Sequence, residues 1–305
     1  MAVCRCKTPL SAKKTRVMII LRTVNDVRDY VSSERGRGAS IGLVPTMGAL
    51  HDGHLSLVEK AVAENATVIV SVFVNPTQFN NPEDLATYPR KEEDDFRLLA
   101  GAGASAVFAP TVEEMYPGGP EAQEPHVFDL GQAAEVMEGK YRPGHFQGVA
   151  QVVSLLFRIV QPDRAYFGEK DFQQIAVIRN MVKSEGIKVD IIACPIKRAD
   201  DGLALSSRNA LLTPEQRKIA PEIHAVLKYS VDYSHSHSVK ATHDTVVERL
   251  DAIPELRVEY FEIVDARTLA PVDEWEESPW IVGCITVYCG KVRLIDNIAY
   301  RIPKA

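Results

Sequence analysis

No run of 18 apolar residues occurs in the chain. The longest candidate, Val149 to Val160, is interrupted by Gln151, Ser154 and Arg158. It reads as a buried helix, and no membrane partner is expected. No Cys-x-x-Cys pair occurs either. The five cysteines, Cys4, Cys6, Cys194, Cys284 and Cys289, are odd in number. That disfavours a disulfide scaffold or a zinc ribbon and points to a reducing compartment, the cytoplasm. Positive charge is not in excess: the formal net charge is -6, so bulk attraction to nucleic acid is not expected. Residues 1–16 carry Arg5, Lys7, Lys13, Lys14 and Arg16 and no acid. A basic leader of this kind suits an organelle transit peptide. This one shows no amphipathic period, and residues 1–17 read as a disordered extension.

What is present is an ordinary globular balance, 46% hydrophobic and 25% charged over 305 residues. Strand-like runs at 41–44, 67–74, 104–109, 164–167 and 188–194 alternate with helical ones at 55–66, 92–100, 146–160 and 171–184. That alternation predicts an α/β fold with a parallel sheet covered on both faces. After Pro195 the pattern changes. A helix over 214–233, capped by Thr213, is followed by a linker at 234–238 and a helix over 241–252. Strands at 258–264, 280–287 and 292–295 then predict a smaller α+β unit. The expected division is 18–195 and 196–305.

Four stretches carry residues suited to chemistry. PTMGALHDGH (45–54) joins a strand to a helix. Helix N-termini at strand ends seat phosphates, and His51 and His54 can donate ring N–H groups without permanent charge. A surface turn with solvated histidines, or a metal pair lacking further ligands, are the alternatives. RAYFGEKDFQQ (164–174) repeats the strand–turn–helix arrangement, with Lys170 as a phosphate cation and Asp171 as a helix cap. GLALSSRNALL (202–212) offers Ser206, Ser207 and Arg208 to a triphosphate, or merely a turn. VFVNPTQF (72–79) presents Asn75 and Gln78, amides suited to hydroxyl and carboxylate groups, or an Asn-Pro turn. The acidic run at 92–95 suits Mg²⁺ or a solvated helix face.

These stretches, with YRPGHFQGV (141–149), occur in the order and spacing of one family. From about residue 18 to the C-terminus the chain resembles the pantoate–β-alanine ligases. The resemblance implies a Rossmann-like nucleotidyltransferase domain of the HIGH type, with HDGH in the HIGH role and LSSR where related synthetases carry KMSKS. It also implies a C-terminal lid, a homodimer, and ATP with Mg²⁺.

By the same resemblance, ATP is held by Met47, Gly48, Ala49, Leu50, His51, Asp52, Gly53 and His54. A second set is Gly168, Glu169, Lys170 and Asp171, and a third is Lys197, Leu205, Ser206, Ser207 and Arg208. His54, His51, Lys170 and Arg208 are the catalytic set, with His54 the assigned proton donor. Gln78, Gln174, Asn75, Arg142 and His145 bind pantoate or β-alanine, and Asp94 and Asp95 lie near Mg²⁺. Leu205 stands where many members carry Met, and Lys197 where many carry Val. The implied reaction condenses pantoate with β-alanine through a pantoyl adenylate, releasing pyrophosphate and AMP. Two other readings exist: a nucleotidyltransferase that stops at its nucleotidylated product, and a non-catalytic nucleotide binder. The presence of FVNPTQF and FGEKDFQQ argues against the first, and the intact His51, His54, Lys170 and Arg208 against the second.

Overall fold

The computed structural model describes residues 17–123 and 126–303. The basic leader, with Cys4 and Cys6, lies outside them. Six parallel strands form the main sheet: β1 (Ile19–Leu21), β2 (Ile41–Thr46), β3 (Thr67–Val72), β4 (Ala106–Phe108), β5 (Arg164–Gly168) and β6 (Asp190–Cys194). Their spatial order is β1-β4-β3-β2-β5-β6. The chain builds outward from β2 through β3 to β4, then returns to the other side of β2 for β5 and β6. The sheet therefore has its topological switch between β2 and β5, where ligands of open α/β sheets bind.

The connecting helices are α1 (Val24–Gly36), α2 (Asp52–Glu64), α3 (Pro82–Thr87), α4 (Glu92–Gly101), α5 (Val112–Met115), α6 (Glu138–Tyr141), α7 (His145–Val160) and α8 (Phe172–Ser184). Side-chain alternation along the strands assigns the two faces. Leu43 and Ile69 pack with Val27 and Val31 of α1 and with α7 and α8. Val44 and Val70 pack with Leu57, Val58 and Ala61 of α2 and Leu99 of α4. β1 and α1 were not read from the sequence. β1 is a three-residue edge strand with two of its three side chains exposed, and carries little local signal.

Beyond β6 come α9 (Pro214–Ile219), α10 (Glu222–Ser234) and α11 (Val239–Asp251), then an antiparallel sheet of β7 (Leu256–Asp265), β8 (Ile281–Cys289) and β9 (Val292–Arg301) in the order β7-β8-β9. The single helix expected over 214–233 is two helices. Pro221 lacks the N–H that would continue the ladder and stands as the cap of α10. Thr213 caps α9 in a capping box with Gln216, as its sequence predicts.

One face of the second sheet packs on α10 and α11. The other, through Tyr260, Val264 and Cys284, joins the core around α7 and α8. Arg293 of β9 reaches Glu138 of α6 at 2.7 and 2.9 Å and Glu259 at 2.5 and 2.8 Å. Burial pushes the Glu138 carboxyl up, but Arg293 overrides it and holds the group down at about 2. Among the described residues, no helix is long and apolar enough to cross a membrane.

Candidate active site

The loop from β2 to α2 builds the centre of the site. Gly48 (φ +79°) and Ala49 (φ +51°) take left-handed conformations. A Cβ on Gly48 would lie 2.9 Å from a carboxylate oxygen of Asp95. Asp95 accepts the N–H of Ala49 at 2.9 Å and of Leu50 at 2.8 Å, which fixes the turn. α2 then starts in a capping box made of the two histidines. His51 Nδ1 accepts from Gly53 N–H at 3.1 Å, and His54 Nδ1 accepts from His51 N–H at 3.4 Å. A Cβ on Gly53 would meet the His51 ring at 2.7 Å. Gly53 is therefore required by the cap, and both glycines of the motif serve the loop's own geometry.

The box also sets the chemistry. With Nδ1 accepting, each neutral ring carries its proton on Nε2 and offers one donor there. Burial, then Lys170, push His51 down to about 4. Burial and the neighbouring His51 push His54 well below its ordinary value. The rings lie 4.1 Å apart. Both are neutral at pH 7.

His51 and His54 line a cavity of about 210 Å³ at the β2–β5 crevice. Lys170, Asp171 and Gly168 from the β5 loop face the same space, as do Met47, Gln78 and Gln174. Val149, Val152, Val153 and Leu156 of α7, with Phe73 and Phe167, make its apolar wall. Lys197, Leu205, Ser206, Ser207 and Arg208 close it from the C-terminal side. Gly48, Ala49, Leu50, Asp52 and Glu169 do not line it; the first three act through the backbone turn already described. Asp171 occupies the cap position of α8 without a side-chain cap bond, leaving it to face the cavity.

Asn75 is placed differently from its expected contact with substrate. It is buried. Its amide nitrogen lies within hydrogen-bond reach of Thr77, Gln78 and the Gly148 carbonyl, and its oxygen accepts from Tyr116 at 2.8 Å. It braces the turn that presents Gln78. Gly148 permits this, since a Cβ there would sit 2.3 Å from the Thr77 carbonyl oxygen. His145 braces the same turn: its Nδ1 donates to the Gln78 carbonyl at 2.8 Å, and its Nε2 accepts from Arg142 at 3.2 Å. His145 and Arg142 line a neighbouring cavity of about 620 Å³, which opens between the two sheets and shares Lys170, Gln174 and Arg208 with the first.

The closing segment is docked by its own contacts. Ser207 Oγ donates to the Ala49 carbonyl at 3.1 Å, and Arg208 pairs with Asp84 of α3 at 3.0 Å. Ser206 caps its short helical turn. The Lys197 carbonyl accepts from Leu205 N–H at 3.0 Å, so its backbone is engaged within the segment. Sequence reasoning missed Asp84, Tyr88 and the Arg198–Asp296 pair. Each is a common residue type with no local pattern to mark it.

The described residues hold no group of three His, Cys, Asp or Glu side chains able to bind a metal ion. Asp94 faces outward and pairs with Arg97, and Asp95 spends its oxygens on the loop amides. The expected Mg²⁺ role of these two carboxylates does not fit this arrangement.

His145 gives a stability prediction. Burial, then Arg142, push it down to about 4, against about 6.5 in the unfolded chain. The unfolded chain takes up the proton first, so stability is fully present above pH 6.5 and falls as pH drops toward 4. The slope is about 1.4 kcal/mol per pH unit for this one histidine. Urea midpoints at pH 7, 6 and 5 should fall in that order, and more gently in His145→Gln. Equal slopes in the two proteins would contradict the assignment.

An open parallel sheet, a neutral histidine pair on a helix start at its switch point, and a lysine from the adjoining strand define an α/β protein with a site suited to a phosphate-bearing ligand. The sequence matches the family Pantoate-beta-alanine ligase over residues 19–299. A pantothenate synthetase from Porphyromonas gingivalis is 58% identical over 93% of this chain and all of its own length. The crystal structure of pantothenate synthetase from Thermus thermophilus aligns with a TM-score of 0.86 at 45% identity, covering 93% of this chain and 100% of that one. A Francisella tularensis pantoate–β-alanine ligase, crystallised with β,γ-ATP and β-alanine, aligns at 0.75 and 37% identity over 93% and 98%. The chain belongs to the pantoate–β-alanine ligase family, and its activity is the ATP-dependent condensation of pantoate with β-alanine.

Proposed function

We propose that the condensation runs through a pantoyl adenylate formed in the β2–β5 crevice. A carboxylate oxygen of pantoate attacks the α-phosphorus of ATP, the bond to the β-phosphate oxygen breaks, and its electron pair leaves on pyrophosphate. The β-alanine nitrogen then attacks the acyl carbon, the bond to AMP breaks, and the nitrogen gives up a proton. The carboxylate arrives ionised, so the first step needs charge stabilisation and positioning, not a base. His51 and His54 serve as neutral Nε2–H donors, and Lys170 and Arg208 as cations for the polyphosphate. Arg208 exchanges Asp84 for phosphate on binding. Gln78 and Gln174 recognise the polar end of pantoate, and the α7 wall takes its two methyl groups. Asn75, Arg142 and His145 support that pocket.

Mg²⁺ enters with ATP as part of the substrate. The amine, with a solution pKa of about 10, must be neutral to attack, and an enclosed site favours that form. A homodimer and a cytoplasmic location complete the reading; the free, buried Cys194, Cys284 and Cys289 fit a reducing compartment. The observation that carries the proposal is the meeting of two neutral histidine donors, Lys170 and two glutamines on one cavity with an apolar wall. The test is exchange of labelled pyrophosphate into ATP. Exchange that requires pantoate but not β-alanine is expected, and exchange independent of pantoate would overturn the order of steps.

A further inference from the structure

Two adjacent residues of β9, remote in sequence from every motif described above, hold both loops that carry the site's cations. Asn297 is 7% exposed, and its amide nitrogen donates to the carbonyls of Glu169 at 2.8 Å and Lys170 at 3.1 Å. Asp296, 5% exposed, accepts the Arg198 guanidinium in a two-point contact at 2.6 and 2.9 Å. Arg198 is one edge of the bridge with Ala204 that turns the chain into the Ser206–Arg208 segment, and it also donates to the Gly202 carbonyl at 3.2 Å. The helical turn at 169–171 has no side-chain cap of its own. Asn297 supplies the tie that the turn lacks.

We propose that Asp296 and Asn297 are positioning residues for adenylation. Asn297 sets the Lys170 ammonium through the backbone, and Asp296 sets Arg208 through Arg198. Both act from the second sheet, which places the polyphosphate-binding cations under the control of how that sheet seats on the first. The inference rests on the assignment of Lys170 and Arg208 to the triphosphate. That charge is present in the first step and gone in the second, where only AMP leaves. Loss of positioning therefore acts unequally on the two steps.

The test compares Asn297→Ala with wild type in two assays: pantoate-dependent pyrophosphate exchange, and acyl transfer from synthetic pantoyl adenylate to β-alanine. The variant should lose roughly 10- to 100-fold in exchange, the range for a misplaced group, and less than about threefold in acyl transfer. Equal losses in both assays, or none, would overturn the proposal. Lys170→Ala is run beside it. Should that variant retain exchange, the fault lies in the triphosphate assignment and not in the role of Asn297. Asp296→Asn keeps the volume and one acceptor for Arg198. It should show the same imbalance in milder form, and provides the reading if Asn297→Ala does not fold.

Discussion

His54→Ala should lower the rate of adenylation by about 10²- to 10³-fold, the usual cost of removing one preorganised donor from developing negative charge. His54→Gln should recover a substantial part of it. Glutamine at the third position of a helix completes a capping box as well as His54 Nδ1 does, and its amide carries an N–H donor but no titratable proton. The ring is buried against a second histidine and near a lysine, which holds it neutral. A proton-donating imidazolium would predict that Gln is as inactive as Ala, and that adenylation rises as pH falls through 6.5. A neutral donor predicts neither. Single-turnover adenylation by wild type, Ala and Gln between pH 5.5 and 7.5 separates the two. Equal inactivity of Ala and Gln would sink the neutral-donor account.

The contrast with His145 shows how far tautomer and role depend on partners. His145 gives its Nδ1 proton to the Gln78 carbonyl and accepts at Nε2, the reverse of His51 and His54. One side-chain type thus provides cavity donors at a helix cap and an internal brace elsewhere, and only the fold distinguishes them.

The alternation of β-branched runs with amphipathic helices made the parallel sheet legible, because a strand buried on both faces must read as a continuous apolar stretch. Ile41–Thr46 and Thr67–Val72 do so. The HDGH, EKD and SSR stretches were legible because each combines a helix start with donors at a strand end. What the sequence did not disclose was the division of labour inside a motif. Asn75 and Gln78 sit three residues apart and have the same chemistry, yet one is consumed by Tyr116, Thr77 and Gly148 and the other faces the cavity. Asp296 acts across 98 residues and Asn297 across 127 and 128, on loops they do not adjoin, and no local pattern can encode such a contact.

Asp95 provides the sharpest case, and the second large effect. As one of four acids at the start of α4 it invites a metal reading. Its side chain is instead 2% exposed and accepts the amides of Ala49 and Leu50. Burial raises its pKa and those two amides oppose the shift. Removing the carboxylate strands two part-buried N–H groups at about 1–3 kcal/mol each, in a turn already holding Ala49 at positive φ. Asp95→Ala should therefore cost about 2–6 kcal/mol of stability and lower adenylation about 100-fold, because the histidine box hangs from that turn. Asp95→Asn, which keeps the volume and one acceptor, should fall between. The two roles part in their response to metal. For a brace, the loss of stability is present without Mg²⁺, and excess Mg²⁺ does not restore the rate. For a metal ligand, the metal-free stability is unchanged and the rate recovers as Mg²⁺ is raised. Thermal unfolding in EDTA together with a Mg²⁺ titration of adenylation decides between them, and recovery of Asp95→Ala at high Mg²⁺ would return Asp95 to the metal.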